Sequence, residues 1–503
     1  MPGAVRGFVP ALALLAALSV MVDAATTPSS GRSELQLELG DLLVQDDRYW
    51  ESISVYNRAK EGATPDQLER ASAGLLRALI YVAEFEAAYR EAQLLEGLSP
   101  QDPERRALYG EGFWANGLFD EAEEVFRDVL AESPSSPGGH YGMAKSLSSR
   151  SRYEEALTEI QAALAADPEP PEYQFTLAAI YRNLKRFDEA ADALDRFSDG
   201  LGGDRMLENG GLAQGEARFL RSFGDRVPFE MPDNGKIIHT LPFRVIDDKV
   251  IVRASINGGD PIDMVVDSGA EQMVMTPPTA RDAGIESIST TISAGVGDVG
   301  FRYLELGRVD SLRIGTFEVH NLPVLIKNPS LTGLPEQRVR NSISPLALGL
   351  SARIDYRNRH LILAKSLPIE PTDVELPMRL NRLAVVRGRV NGQQPKSFVV
   401  DTGGEVISIS LATARGLGTS PFRHIQLNVY GTSGWDPQAY LLPGVDLAFN
   451  QITYDNYSVV VLNLHRPSAL LGFRIGGIIG HSFLSNYVVS MDLERSLLGL
   501  RRY

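Results

Sequence analysis

Two stretches of this chain are copies of one another. Residues 252–275, VRASINGGDPIDMVVDSGAEQMVM, align without a gap to residues 386–409, VRGRVNGQQPKSFVVDTGGEVISI, at a constant offset of 134. The match pairs Val252 with Val386, Asn257 with Asn391, Gly258 with Gly392, Pro261 with Pro395, Asp267 with Asp401 and Gly269 with Gly403. It runs on through TARDAG (279–284) and TARGLG (413–418), each reading as a short helix ended by glycine. The copies begin alike, with LPFR (241–244) and LPMR (376–379). They also end alike, in RIDYRNRHLIL (353–363) and SMDLERSLLGL (490–500), where the offset has grown to 137. A duplication of this length predicts two lobes with one order of parts.

The texture of residues 236–503 is short Val-, Ile- and Leu-rich runs broken by Gly, Pro, Asn and Asp, which reads as all-β with brief helices. The lobes divide as 236–368 and 369–503. Each holds an Asn-Gly hairpin, a buried strand, Asp-Ser/Thr-Gly, a short helix, further hairpins and a final strand pair. The strands end oddly. Met264-Val265-Val266 runs straight into Asp267, although an unpaired carboxylate costs several kcal/mol to desolvate. One Asp-[Ser/Thr]-Gly is a weak signal, but two at matched places in duplicated lobes are a specific one.

At these residues the chain resembles the aspartic proteases, the retropepsin-like and pepsin-like enzymes. The resemblance implies a bilobal acid-protease fold over 236–503 and an aspartic-type endopeptidase activity. Asp267 and Asp401 would be the catalytic dyad, sharing a proton because two adjacent carboxylates do not both ionise cheaply. Ser268 and Thr402 would tie the two loops together, and Gly269 and Gly403 would let the carboxylates approach. Flap hairpins are expected at SAGVGDVG (293–300), with Gly295 and Gly297, and at VYGTSGW (429–435), with Tyr430 and Gly431. The apolar-apolar-glycine segment behind the second loop is present as GGIIGHSFL (476–484), whereas the first lobe has NSISPLAL (341–348) without that glycine. Gly404 and Ala270 carry no extra hydroxyl, which implies a working pH nearer neutral than in strongly acid-acting members. Glu271 and Glu405, four past each aspartate, read as solvated turn residues.

Upstream, a second periodicity governs residues 33–200. FEAAYREAQLLEGLSP (85–100), FDEAEEVFRDVLAESP (119–134) and YEEALTEIQAALAADP (153–168) share one skeleton. Ala88, Ala122, Ala156 and Ala190 are each 34 apart, as are Pro100, Pro134 and Pro168. This resembles the tetratricopeptide repeat, a helical hairpin of that length stacked into an α-solenoid. Small residues permit close helix approach and each proline stops a helix. About five units are readable, enough for a stable stack. The array reads either as a groove for a peptide or protein partner, or as a packing platform for the second half. A Gly-rich linker is expected at 201–235.

Composition narrows the remaining possibilities. A net charge of −15 disfavours nucleic acid and anionic membrane surfaces as partners. Arg6, the apolar run 8–22 and small residues before position 25 read as a signal peptide over 1–24, so an exported protein, periplasmic or extracellular, is expected, with no membrane span after cleavage. With no cysteine there is no thiol nucleophile, and the 7 histidines are scattered without a metal-binding motif. A serine hydrolase motif fails at GHSFL (480–484). The expected chemistry needs a peptide or protein substrate and neither metal nor cofactor. A non-catalytic peptide-binding scaffold that keeps the fold is the alternative, and pairing of lobes between two chains is a third possibility.

Overall fold

The structure is a computed structural model that describes residues 29–201, 209–233, 235–297, 300–327, 340–418 and 425–503. The expected export signal lies outside the described residues. No helix among those described is long and apolar enough to cross a membrane.

The first half is an array of helical hairpins. Its helices among the described residues are α1 (Ser29–Gln45), α2 (Tyr49–Ala59), α3 (Pro65–Tyr81), α4 (Phe85–Gly97), α5 (Pro103–Ala115) and α6 (Phe119–Glu132). They continue as α7 (Pro137–Ser149), α8 (Tyr153–Ala166), α9 (Pro171–Asn183), α10 (Phe187–Asp199) and α11 (Gly211–Arg221). The sequence explains the boundaries. Thr64, Asp102 and Ser136 cap α3, α5 and α7, each just before a proline whose missing N–H is no loss at a first helical position. Pro100, Pro134 and Pro168 fall two or three residues past the ends of α4, α6 and α8. The repeated alanines Ala88, Ala122, Ala156 and Ala190 are all 0 % exposed, wedged where helices touch.

The segment expected as a linker is not bare tether. Within it α11 packs on α10, and Ala217, Phe219 and Leu220 bury into the core of the array's last repeats. Its other side lies on the strand Ser289–Ser293 of the first lobe, where Ser289 Oγ donates to the Gly215 carbonyl at 2.7 Å. Gly215 matters there, since a Cβ on it would stand 3.0 Å from that hydroxyl.

The second half is two β-lobes built to one plan. In lobe 1 the strand Ile262–Val266 runs parallel to Asn341–Ile343, and Met273–Met275 parallel to Phe317–Ile326. In lobe 2 Lys396–Val400 runs parallel to Gly477–Ile479, and Ser408–Ser410 parallel to Ile452–Leu462. A six-strand run joins the lobes in the order Ile238–Pro242, His360–Ala364, Ser351–Asp355, Tyr487–Asp492, Leu497–Arg502, Val374–Asn381. At its centre Arg353 pairs with Ser490, the residue 137 further on. Equivalent residues that pair with each other must lie on the symmetry axis, so the pseudo-two-fold passes between these two. One apolar core, from Leu241 through Val266 and Val400 to Leu500, runs through both lobes.

The array is fixed to the lobes by contacts no surface docking would need. Arg379 of lobe 2 is buried against it. Its guanidinium donates to the Asp120 and Glu123 carboxylates and to the Ser146 carbonyl. Burial, the largest single influence, would raise both acids, but Arg379 and Arg150, with Arg387 at Asp120, together outweigh it and hold them below the usual carboxylate range. Phe119 meets Phe473 edge to face at 5.0 Å, and Ser397 Oγ donates to the Gly117 carbonyl at 2.7 Å.

Candidate active site

Each aspartate is delivered by a strand that has no freedom to move. Met264, Val265 and Val266 are buried on one side of the axis, and Phe398, Val399 and Val400 on the other. The Asp267 N–H donates to the Ile343 carbonyl at 2.9 Å, and the Asp401 N–H to Ile479 at 3.0 Å. The first lobe therefore supports its loop as the second does, although Ser344 stands where lobe 2 has Gly480. What differs is the next residue. His481 N–H donates to the Gly404 carbonyl at 2.9 Å, whereas Pro345 at the matched place has no N–H to give.

Between the strands, the loops exchange hydrogen bonds across the axis. Ser268 N–H donates to Thr402 Oγ1, and Thr402 N–H to Ser268 Oγ, both at 3.0 Å. The hydroxyls donate in turn: Ser268 Oγ–H to the Val400 carbonyl and Thr402 Oγ1–H to the Val266 carbonyl, both at 2.7 Å. All four bonds are buried, so each partner is expensive to leave unmet. Nothing but an oxygen with one donor and a free lone pair, on a short side chain, fits both places.

This grip presses the aspartates together. A Cβ on Gly269 would lie 2.5 Å from the Asp401 carboxyl carbon, and one on Gly403 would lie 2.6 Å from Asp267 Oδ1. The two carboxyls share a side-chain hydrogen bond. Both line the cleft and are partly exposed to it. Burial raises the pKa of both. Asp267 is raised further by the charge of Asp401 and by donating the shared hydrogen bond, while that bond lowers Asp401 as its acceptor. Asp401 also accepts from the N–H groups of Gly403 and Gly404 at 2.8 and 2.9 Å, and Asp267 from Gly269 alone at 2.9 Å. The extra backbone donor favours the charge on Asp401 and the proton on Asp267.

Overhead, the two expected flaps meet tip to tip. Ser433 N–H donates to the Val296 carbonyl and Gly295 N–H to Ser433 Oγ, both at 2.9 Å. Arg302 adds a bond to the Thr432 carbonyl at 3.1 Å. The approach is close enough that a Cβ on Gly431 would stand 2.1 Å from Val296 O, and Gly297 has a φ of +136° at the crossing. Tyr430 packs tilted against Trp435, with centroids 4.2 Å apart, and lines the cleft. Asp298 and Val299, within the first hairpin, lie outside the described residues.

Beneath this roof lies a cleft of about 1810 Å³. Apolar side chains, Leu304, Leu325, Leu464 and Ile475 among them, line part of it. Sequence reasoning missed three features of it. Tyr153, Lys185, Phe187 and Phe219 of the array line one end, so the helical half is part of the cleft. Lys327 faces Asp267, its ammonium pushed down to about 8 by burial. Glu271 is tied to the opposite lobe, whereas Glu405 is exposed as its turn position predicts. Glu271 pairs with Arg382 of the opposite lobe at 2.6 Å, and Glu405 lies 3.8 Å from Lys249 of the opposite lobe. A signal for the last existed: both basic residues lie at hairpin tips that the duplication does not copy. Among the described residues no cluster of three acidic or histidine side chains could hold a metal ion.

An aspartyl protease family model matches residues 252–352 and 386–483, one span in each lobe. A tetratricopeptide-repeat model matches residues 113–174. The chain carries an aspartyl protease domain in two lobes joined to a tetratricopeptide array. Similar solved structures include a thermophilic tetratricopeptide protein of Thermus thermophilus, at 20% identity over 35% of this chain and 95% of that one, with a TM-score of 0.31. Another is MamA of Desulfovibrio magneticus, at 15% identity over 35% of this chain and 96% of that one, with a TM-score of 0.25. No curated protein matches the chain.

Proposed function

We propose that the chain is an aspartic-type endopeptidase in which Asp267 and Asp401 activate a water against a peptide carbonyl. The observation that carries this reading is the reciprocal Ser268–Thr402 exchange, which ties together the two loops that bear the carboxyls. Asp401, as the anion, takes a proton from the attacking water while the water's oxygen bonds to the carbonyl carbon. Asp267 gives its proton to the carbonyl oxygen, and a gem-diol forms. On collapse the C–N bond breaks, the amine nitrogen takes the proton from Asp401, and a gem-diol hydroxyl returns one to Asp267. Both carboxyls end as they began, and no covalent enzyme intermediate arises.

On this reading the array works as one end wall of the substrate cleft, whatever else binds in its groove, and substrate enters when the two flap tips part. Residues 1–24 carry the protein out of the cytoplasm. The test is hydrolysis of a mixed peptide pool by the full chain beside Asp267→Asn and Asp401→Asn. Cleavage by wild type that both variants lose, and that a statine-type inhibitor blocks, supports the reading. An inert wild type that still binds peptide would favour a non-catalytic scaffold.

A further inference from the structure

The duplication is broken beside the dyad in one informative place. In lobe 1 the first hairpin turns through Asp247 and Asp248, both at positive φ, and its returning strand opens with Lys249. The lobe 2 hairpin turns on Arg382 alone, and its returning strand opens with Leu383. Counting from the matched Val252 and Val386, Lys249 and Leu383 are equivalent. An ammonium therefore stands on one side of the axis and an isobutyl group on the other.

What the ammonium touches is specific. Lys249 Nζ donates to the Gly403 carbonyl at 2.7 Å. That carbonyl belongs to the same peptide unit as the Gly404 N–H, which donates to Asp401 Oδ1 at 2.9 Å. The cation thus pulls electron density from one end of a peptide whose other end holds the carboxylate, and hydrogen bonds in such a chain strengthen one another. Among the described residues lobe 1 shows no counterpart. Arg382 reaches Glu271 and the Leu470 carbonyl instead of the Gly269 carbonyl.

Resting on the endopeptidase reading, we propose that Lys249 is a positioning residue that fixes the direction of the dyad. Through the Gly403–Gly404 peptide it holds Asp401 as the anion that receives the water's proton and leaves Asp267 as the acid. Without it, the Gly403 and Gly404 N–H groups would still favour the charge on Asp401, but less strongly, and the proton would spend more of its time on the wrong carboxyl.

Beyond the backbone N–H groups of Gly403 and Gly404, the other side chains around Asp401 add nothing to this bias. Glu405, on the same loop, repels the anion and partly offsets Lys249 at 3.8 Å. Tyr356 behind the loop is neutral, its hydroxyl raised by burial. His481 is pushed down by burial and so is uncharged near neutral pH, with Asp248 3.9 Å from its ring. Lys327 faces Asp267 and would favour the opposite direction. Among these groups Lys249 is the cation acting on Asp401, and its attraction lowers that carboxyl.

The experiment pairs two readouts on the full chain: titration of carboxyl-¹³C-labelled aspartates by NMR, and the pH profile of kcat/KM on a cleaved peptide. Lys249→Met, which keeps length and removes charge, should raise the lower titration of the pair and the acidic limb of the profile together, by about one pH unit. KM should change little. Lys249→Arg, whose guanidinium can bond the same carbonyl, should restore both values. If wild type and Lys249→Met titrate identically, or if Lys249→Arg behaves as Lys249→Met does, Lys249 does not set the direction and the proposal is overturned. The two readings fail separately. A wild type that cleaves nothing, with a dyad titration that still moves in Lys249→Met, overturns the protease and upholds the polarising lysine. A wild type that cleaves, with neither readout moved by Lys249→Met, does the reverse.

Discussion

Ser268 and Thr402, 134 residues apart in the chain, each donate a backbone N–H to the other's hydroxyl oxygen at 3.0 Å. The contact is symmetric because the residues are equivalents, and it makes the cleft floor a single unit from two lobes. Removing one hydroxyl orphans a buried N–H and a buried carbonyl at once. Thr402→Ala should therefore cost roughly 1–3 kcal/mol for each group left unmet, read by urea unfolding. Thr402→Ser, which keeps the oxygen, should stay within about 1 kcal/mol of wild type. Equal loss in both variants would show that the methyl group, not the exchange, matters.

Gly403 is where geometry and chemistry meet most tightly. Its missing Cβ would lie 2.6 Å from Asp267 Oδ1, so Gly403→Ala must push that carboxyl off the axis. Peptide hydrolysis should fall about 100-fold or more, since misplacement of a reacting group by an ångström has effects of that order. Gly97→Ala, in open space at the end of α4, should leave the rate unchanged. Full activity in Gly403→Ala would mean the carboxyls need not be held this close.

Arg379 binds the halves of the molecule into one. Its substitution by methionine leaves Glu123 to Arg127 and Arg150 alone and Asp120 to Arg387, at a cost of roughly 1–3 kcal/mol for the buried charge-assisted bonds lost. The array should become separable from the lobes by limited proteolysis. Asp120 and Glu123 are held below their ordinary values, so this stabilisation is present above the unfolded carboxylate range and is lost as pH falls through the lower folded values. Docking should thus weaken only in strong acid. Proteolysis patterns that match between wild type and Arg379→Met would remove this pair from the account.

Asp267 carries the opposite sign. Its folded pKa is raised by burial and by Asp401, so its contribution is fully present below the unfolded value and is lost as pH rises through the folded one. Asp267→Asn, which cannot ionise, should be more thermostable than wild type at pH 8. The gap should close as pH falls to about 4, where an unfolded aspartate is itself protonated. A variant less stable than wild type at pH 8 would show that ionisation at the dyad is not strained.

Much of this architecture was legible because a duplication repeats its own evidence. The offset of 134 gave both loops, the offset of 137 matched the closing segments of the lobes, and the period of 34 gave the hairpins. What stayed hidden lies where the repeats diverge or where distant surfaces meet. The turns inside successive hairpins place Ala83, Gly117, Ser151 and Lys185 at positive φ, 34 apart, yet only one of the four is a glycine. Tertiary packing imposes that turn on the other three, so composition does not announce it. Arg379 looks like any surface arginine until the array covers it. Lys249 is visible only as a failure of the alignment, and the expected linker hid α11 because glycines masked its apolar stripe.

The most direct test of the shared proton is the pH dependence of kcat/KM on a cleaved peptide. Two coupled carboxyls predict a bell, with one limb for loss of the anion and one for loss of the acid, and no measurable rate at any pH in Asp267→Asn or Asp401→Asn. A single-limbed profile, or cleavage that survives in either variant, would contradict the dyad.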